Sequence, residues 1–151
     1  MSAQSSDQGL SRANSLSTGS SEFLVAVSRI MLGWLFLTAG WGKITNIAGT
    51  AAYFAGLHMP GAEFGPYIIG SIELLIAIML IFGLATRYAA FVTFVFLVIA
   101  TAMAHRYWEY AAAARGAQFI NFSKNIAIMS GALLLFVTGG GRYSIDAALG
   151  R

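Results

Sequence analysis

Arg29, Lys43, Glu73, His105, Lys124 and Asn125 are polar side chains set in or at the ends of long apolar stretches, where each needs a reason to be. An ionisable group at membrane depth costs a few kcal/mol on insertion scales, so it faces a bundle interior and carries a functional hypothesis by default. Glu73 and His105 are the candidate catalytic pair, because a carboxylate and an imidazole can pass protons. Lys43, Lys124, Asn125 and Arg29 are the candidate binding groups, able to hold an anionic substrate. Each also has a plainer use. The lysines can snorkel to headgroups, His105 can be an interfacial histidine, and Arg29 can pair with a phosphate headgroup or a helix C-terminus.

The rest of the sequence narrows that chemistry. The chain holds no cysteine, which removes disulfides, thiolate nucleophiles and cysteine-held clusters. No metal-ligand spacing, catalytic triad or phosphate loop is present, and Gly139-Gly140-Gly141 reads as a helix terminator at the N-terminal face. The nine Lys and Arg are scattered singly, so no basic run points to nucleic acid. Any redox chemistry must therefore use a bound group or a partner subunit.

The elements that position these residues follow from composition. Of 151 residues, 58% are hydrophobic and 10% charged, far from the roughly 25% charged of soluble domains. Apolar blocks at 23–44, 66–86, 89–107 and 119–138 each approach the ~20 residues needed to cross about 30 Å of hydrocarbon. They lack the two-residue alternation of barrel strands, which leaves helices as the way to satisfy the backbone in lipid. The expected fold is all-α: an integral membrane four-helix bundle with antiparallel spans, over residues 23–140. Residues 1–22, with eight serines up to Ser21, read as a disordered tail, and 141–151 as a short C-terminal tail. Arg29 interrupts the first apolar block, so that block is an anchor, not a cleaved signal.

Antiparallel order brings the polar groups toward one face. The first span ends there at Lys43, the second begins there before Glu73, the third ends at His105, and the fourth begins around Lys124 and Asn125. Ile126 to Thr138 alone makes only about 20 Å of helix, so Lys124 belongs within or at the edge of the fourth helix. On the first helix Arg29, Gly33, Phe36, Gly40 and Lys43 recur at helical spacing along one stripe. The link between the first two spans holds Tyr53, His58 and Pro60-Gly61 and suits a short interfacial helix, and Trp41, Tyr53 and Trp108 are aromatic neighbours or interfacial anchors. Arg12, Arg87, Arg142 and Arg151 lie on the terminal face; Lys43, Arg106, Arg115 and Lys124 lie on the other. With the lysines inside helices, the positive-inside tendency places both termini in the cytoplasm.

The segments SRIMLGWLFLTAGWGKITNIAGTAAYFAGL, IELLIAIMLIFGLATR, NFSKNIAIMSGALLLF and GGGRYSIDA resemble the DoxX family of small bacterial membrane proteins. The matching positions are Arg29, Gly33, Gly40, Lys43, Glu73, Gly83, Arg87, Lys124, Asn125 and Asp146. The resemblance implies a four-helix protein of the bacterial inner membrane, in some relatives a subunit of a thiosulfate:quinone oxidoreductase and in others part of oxidative-stress assemblies. It leaves the cofactor open, with quinone the candidate, and makes a redox subunit and a homo-oligomer candidate partners beside the lipid bilayer. Two other functions stay open on the residues alone: a scaffold without catalysis, and a small proton-coupled transporter using Glu73.

Overall fold

The computed structural model describes residues 19–151, and no strand occurs among them. The helices are α1 (Ser2–Thr45), α2 (Ile47–Gly56), α3 (Gly65–Phe82), α4 (Thr86–Ala104), α5 (Ala112–Thr138) and α6 (Ile145–Ala148), with a 3-10 turn at Tyr107–Glu109. The expected Ser-rich tail lies outside the described residues except for 19–22, which belong to α1. Four stretches are long and apolar enough to cross a membrane: Gly19–Thr45, Gly65–Phe82, Thr86–Glu109 and Ala112–Thr138. The protein is an all-α, four-span membrane bundle.

Its packing is inside-out relative to a soluble bundle. Large apolar side chains such as Trp34, Leu134 and Val137 face outward, while the interior holds Ala77, Ala89, Ala90 and Ala132 beside Phe36, Ile76 and Leu80. Lipid solvates leucine as well as a protein core does, so association depends on close backbone approach and on hydrogen bonds. Gly40 shows the first effect: a Cβ there would stand 2.8 Å from the carbonyl oxygen of Gly70, so α1 and α3 meet where neither has a side chain. Thr93 and Thr101 show the second. Thr93 Oγ1 donates back to Ala89 O at 2.7 Å, and Thr101 Oγ1 accepts from Asn125 Nδ2 at 2.9 Å, joining α4 to α5.

α1 packs along α3, and α4 along α5, while α1 and α5 touch little. The α3–α4 turn is tight. Gly83 ends α3 in the left-handed region (φ 67) and the Leu84 N–H donates to Met79 O at 2.9 Å, a Schellman-type stop. Ala85 follows at φ 46, which is uncomfortable for a residue with a Cβ. It is held by the C-terminal segment: Asp146 accepts from the backbone N–H of Ala85 and of Thr86, both at 2.7 Å, and its own N–H donates to Gly83 O at 3.0 Å.

On the far side, α2 occupies the link expected to carry an interfacial helix. Asn46 caps it by accepting from Gly49 N–H at 3.2 Å. Phe54 of α2 is buried against Gly65, so the helix lies over the bundle end and does not leave it.

Candidate functional site

The stripe on α1 sets one wall of the site. Arg29, Gly33, Phe36 and Gly40 are all buried, and Lys43 is three-quarters covered. Lys43 Nζ donates to both oxygens of Glu73, at 2.7 and 2.9 Å, with a longer contact of 3.4 Å to Ala39 O. Glu73, 5% exposed on α3, is deeper than its partner. The pair ties the last turn of α1 to the first half of α3 and forms the polar wall of a cavity of about 380 Å³.

Three further groups complete that cavity. His105, just past the end of α4, lies 2.8 Å from Gln118 Oε1 through Nδ1. That contact occupies Nδ1 and leaves Nε2 without a partner among the described residues. Asn125 faces the same space, and its Nδ2 is committed to Thr101, leaving Oδ1 as the remaining acceptor. Tyr53 reaches in from α2; burial, with a smaller contribution from Tyr110, raises its phenol above the ordinary value, so it is a neutral donor at neutral pH. The other walls are apolar, with Phe36 and Phe96 in edge-to-face contact at 6.2 Å. A smaller recess beside His58, Arg106, Glu109 and Tyr110 shares Leu57 and Met103 with the cavity and lies on its loop side.

Lys43, Glu73, His105 and Asn125 therefore converge, and two other sequence candidates stand elsewhere. Lys124 is exposed and has no hydrogen bond or ion pair among the described residues, because it precedes Asn125 by one position and a helix turns about 100° per residue. Arg29 is at the opposite end of the bundle. Only 2% exposed, it donates through Nη1 to Leu80 O at 2.7 Å and Ile81 O at 2.6 Å, and through Nη2 to Tyr143 O at 2.7 Å. Its charge thus sits on the carbonyl end of α3, where the helix dipole favours a cation. Trp41 and Trp108 are more than half exposed and do not line the cavity, whereas Tyr53 does.

Gln118 was not a sequence candidate, since a glutamine seven residues into α5 carries no signal until His105 is placed beside it. Among the described residues no three His, Asp or Glu side chains gather as a metal centre would require.

Comparison with known proteins agrees with this architecture. The DoxX family model matches residues 24–106. The chain is 38% identical to the inner membrane protein YqjF of Escherichia coli (strain K12), over 84% of this chain and 92% of that protein. It is 36% identical to the inner membrane protein YphA of the same organism, over 82% and 88%. A shorter likeness, 36% identity over 39% of this chain and 42% of the relative, is to CatD of Bacillus subtilis (strain 168), which is named as a candidate oxidoreductase. No solved structure matches the chain. With more than half its length under the family model and two relatives more than 30% identical over most of both chains, this chain belongs to the DoxX family.

Proposed function

We propose that the chain is the membrane subunit of a quinone-linked oxidoreductase of the bacterial inner membrane, with the Lys43–Glu73 cavity as its quinone site. The observation that carries this reading is an apolar, aromatic-lined space of about 380 Å³ at membrane depth with a single polar wall. A quinone headgroup is a flat ring with two acceptor oxygens, and it matches that donor set. The Tyr53 phenol would donate to one oxygen and Lys43 to the other, releasing its long 3.4 Å contact with Ala39 O, and Phe96 bounds the ring space. When bound, the quinone supplies the electron-accepting chemistry that a chain without cysteine lacks.

The chain's own contribution is to position and to move protons. Glu73 can take or release a proton where water is scarce, Lys43 fixes its orientation, and His105 Nε2 can exchange a proton on the side leading to the loop recess. Electrons come from substrate or from a partner redox subunit. The oxidoreductase name carried by CatD supports the class of activity.

The test is solvent extraction and mass analysis of protein purified gently from its native membrane. One quinone per chain is expected, and Ala100→Phe, which fills the cavity from α4, is expected to lose it without lowering the melting temperature. A wild-type preparation free of quinone under the same handling rejects the reading. It would favour the scaffold alternative, for which there is one specific observation: every Lys43 donor direction is already directed at Glu73 or Ala39 O, as in a pair that only locks α1 to α3.

Both termini are assigned to the cytoplasm. Lys43, Arg87, Arg115 and Lys124 lie within helices, so the far face keeps Arg106 outside its helices, against Arg142 and Arg151 on the described part of the terminal face. A fluorescent protein fused after Arg151 is expected to be bright and an alkaline phosphatase fusion at the same point inactive. The reverse pattern would invert the assignment.

A further inference from the structure

The terminal face carries a second, polar pocket of about 380 Å³, formed where α4 begins, α5 ends and the C-terminal segment folds back. It is remote from the Lys43–Glu73 cavity and shares no residue with it. Three arginines line it: Arg87, Arg142 and Arg151.

Their donors are largely unspent. Arg87 Nη1 donates to Phe136 O at 2.7 Å and Val137 O at 2.6 Å, which pins the group to the end of α5 and leaves the Nε and Nη2 hydrogens over the Gly139 turn. Arg142 rests its guanidinium 6.0 Å from the Tyr143 ring centroid, and Arg151 is fixed by its backbone N–H donating to Asp146 O at 2.9 Å. Neither side chain is within ion-pair distance of a carboxylate, the ion pairs among the described residues being Lys43–Glu73 and Arg106–Glu109 at the other end, although the Arg151 charge is near enough to hold the Asp146 carboxyl low. Two carboxylates do line the pocket, and both are directed at backbone: Glu22 accepts from Arg142 N–H at 2.6 Å, and Asp146 from Ala85 and Thr86. The lining keeps a net positive charge.

The remaining wall is open to close approach. Gly139 and Gly140 present backbone without side chains, and the buried Thr86 hydroxyl, beside the Asp146 carboxylate, faces the position a Gly140 side chain would fill. A concave site lined by three arginines and side-chain-free glycine backbone at headgroup level fits a tetrahedral oxyanion.

We propose that this pocket binds a net-anionic phosphate, presented by the headgroup of an anionic phospholipid or by a water-soluble phosphate ester, between Arg87, Arg142 and Arg151. The experiment compares the full chain with the double variant Arg142→Gln/Arg151→Gln, both positions being exposed and outside the helix contacts. Native mass spectrometry is run with phosphatidylglycerol and phosphatidylcholine in equal amounts, and melting is followed with and without millimolar inorganic phosphate. With a lipid source, the wild type retains phosphatidylglycerol over phosphatidylcholine, the double variant retains about tenfold less, and inorganic phosphate does not displace it. With a soluble source, inorganic phosphate raises the melting temperature of the wild type but not of the variant, and competes with any bound lipid. Arg115→Gln, on the other face, behaves as wild type in either case. The proposal is overturned if phosphatidylglycerol preference and phosphate stabilisation are both absent, or both unchanged in the double variant.

Discussion

Lys43→Met is expected to destabilise the protein more than Glu73→Gln, and the double variant Lys43→Met/Glu73→Met to recover most of the loss. The asymmetry follows from depth. Glu73 is 5% exposed, so removing its lysine strands a carboxylate among Ile76, Ala77 and the α1 backbone, whereas removing its charge leaves a Lys43 side chain still 24% exposed and long enough to turn toward the headgroups. Stranding one member of a buried pair costs on the order of 3 to 5 kcal/mol, while replacing both by apolar groups of similar size is often neutral. Melting of the four proteins in one detergent measures this, with Lys43→Met lowest. Equal losses for the two single variants, or a double variant as weak as Lys43→Met, would show that the pair is not buried as described. The quinone content of the same samples separates the two roles of the pair. A double variant that is stable yet empty is the expected result for a binding site, and a scaffold predicts no such loss.

The second large effect lies at the other end of the molecule. Asp146→Ala removes two short hydrogen bonds from a charged acceptor, to Ala85 and Thr86, and leaves the Thr86 N–H without its partner in a buried turn. Hydrogen bonds to charged groups contribute roughly 1.5 to 3 kcal/mol each, so a loss of about 3 kcal/mol or more is expected, with Asp146→Asn intermediate. The same contact makes stability depend on pH. Burial pushes the Asp146 carboxyl up, but the backbone N–H and hydroxyl of Thr86, the backbone N–H of Ala85 and the charge of Arg151 more than offset it, and the group stays below the ordinary aspartate value. A carboxylate held low contributes stability that is complete above its unfolded value, near about 3.9, and is lost as pH falls through the lower folded value. The melting difference between wild type and Asp146→Asn should therefore be constant down to about pH 5 and shrink below about pH 4. A difference that grows as pH falls would contradict the sign of the effect.

These two contacts mark what could be read in advance. The spans, their antiparallel order and the stripe of Arg29, Gly33, Phe36, Gly40 and Lys43 were legible, because hydropathy fixes which segments enter the bilayer and the 3.6-residue repeat fixes which residues share a face. The likeness to the DoxX family was legible too, and with it the positions worth attention. The sequence could also say that Glu73 needs a partner, since lipid offers a carboxylate none.

Only the tertiary structure decided who the partner is. Lys43 and Lys124 were equal candidates by depth, and helix rotation separates them: α1 turns Lys43 toward α3, while α5 turns Asn125 inward and so carries Lys124 out. Arg29 shares a stripe with Lys43 but stands fourteen residues away, about 20 Å along the helix, and so serves the opposite end. The return of the C-terminal segment was hidden for a related reason. Asp146 meets Ala85 across 61 positions and Arg29 meets Tyr143 across 114, contacts that no local pattern encodes. Periodicity is a one-dimensional property and sets depth and face, whereas the meeting of polar groups depends on how four helices rotate and cross, which the close approach of Gly40 to Gly70 and the hydrogen bonds at each end settle together.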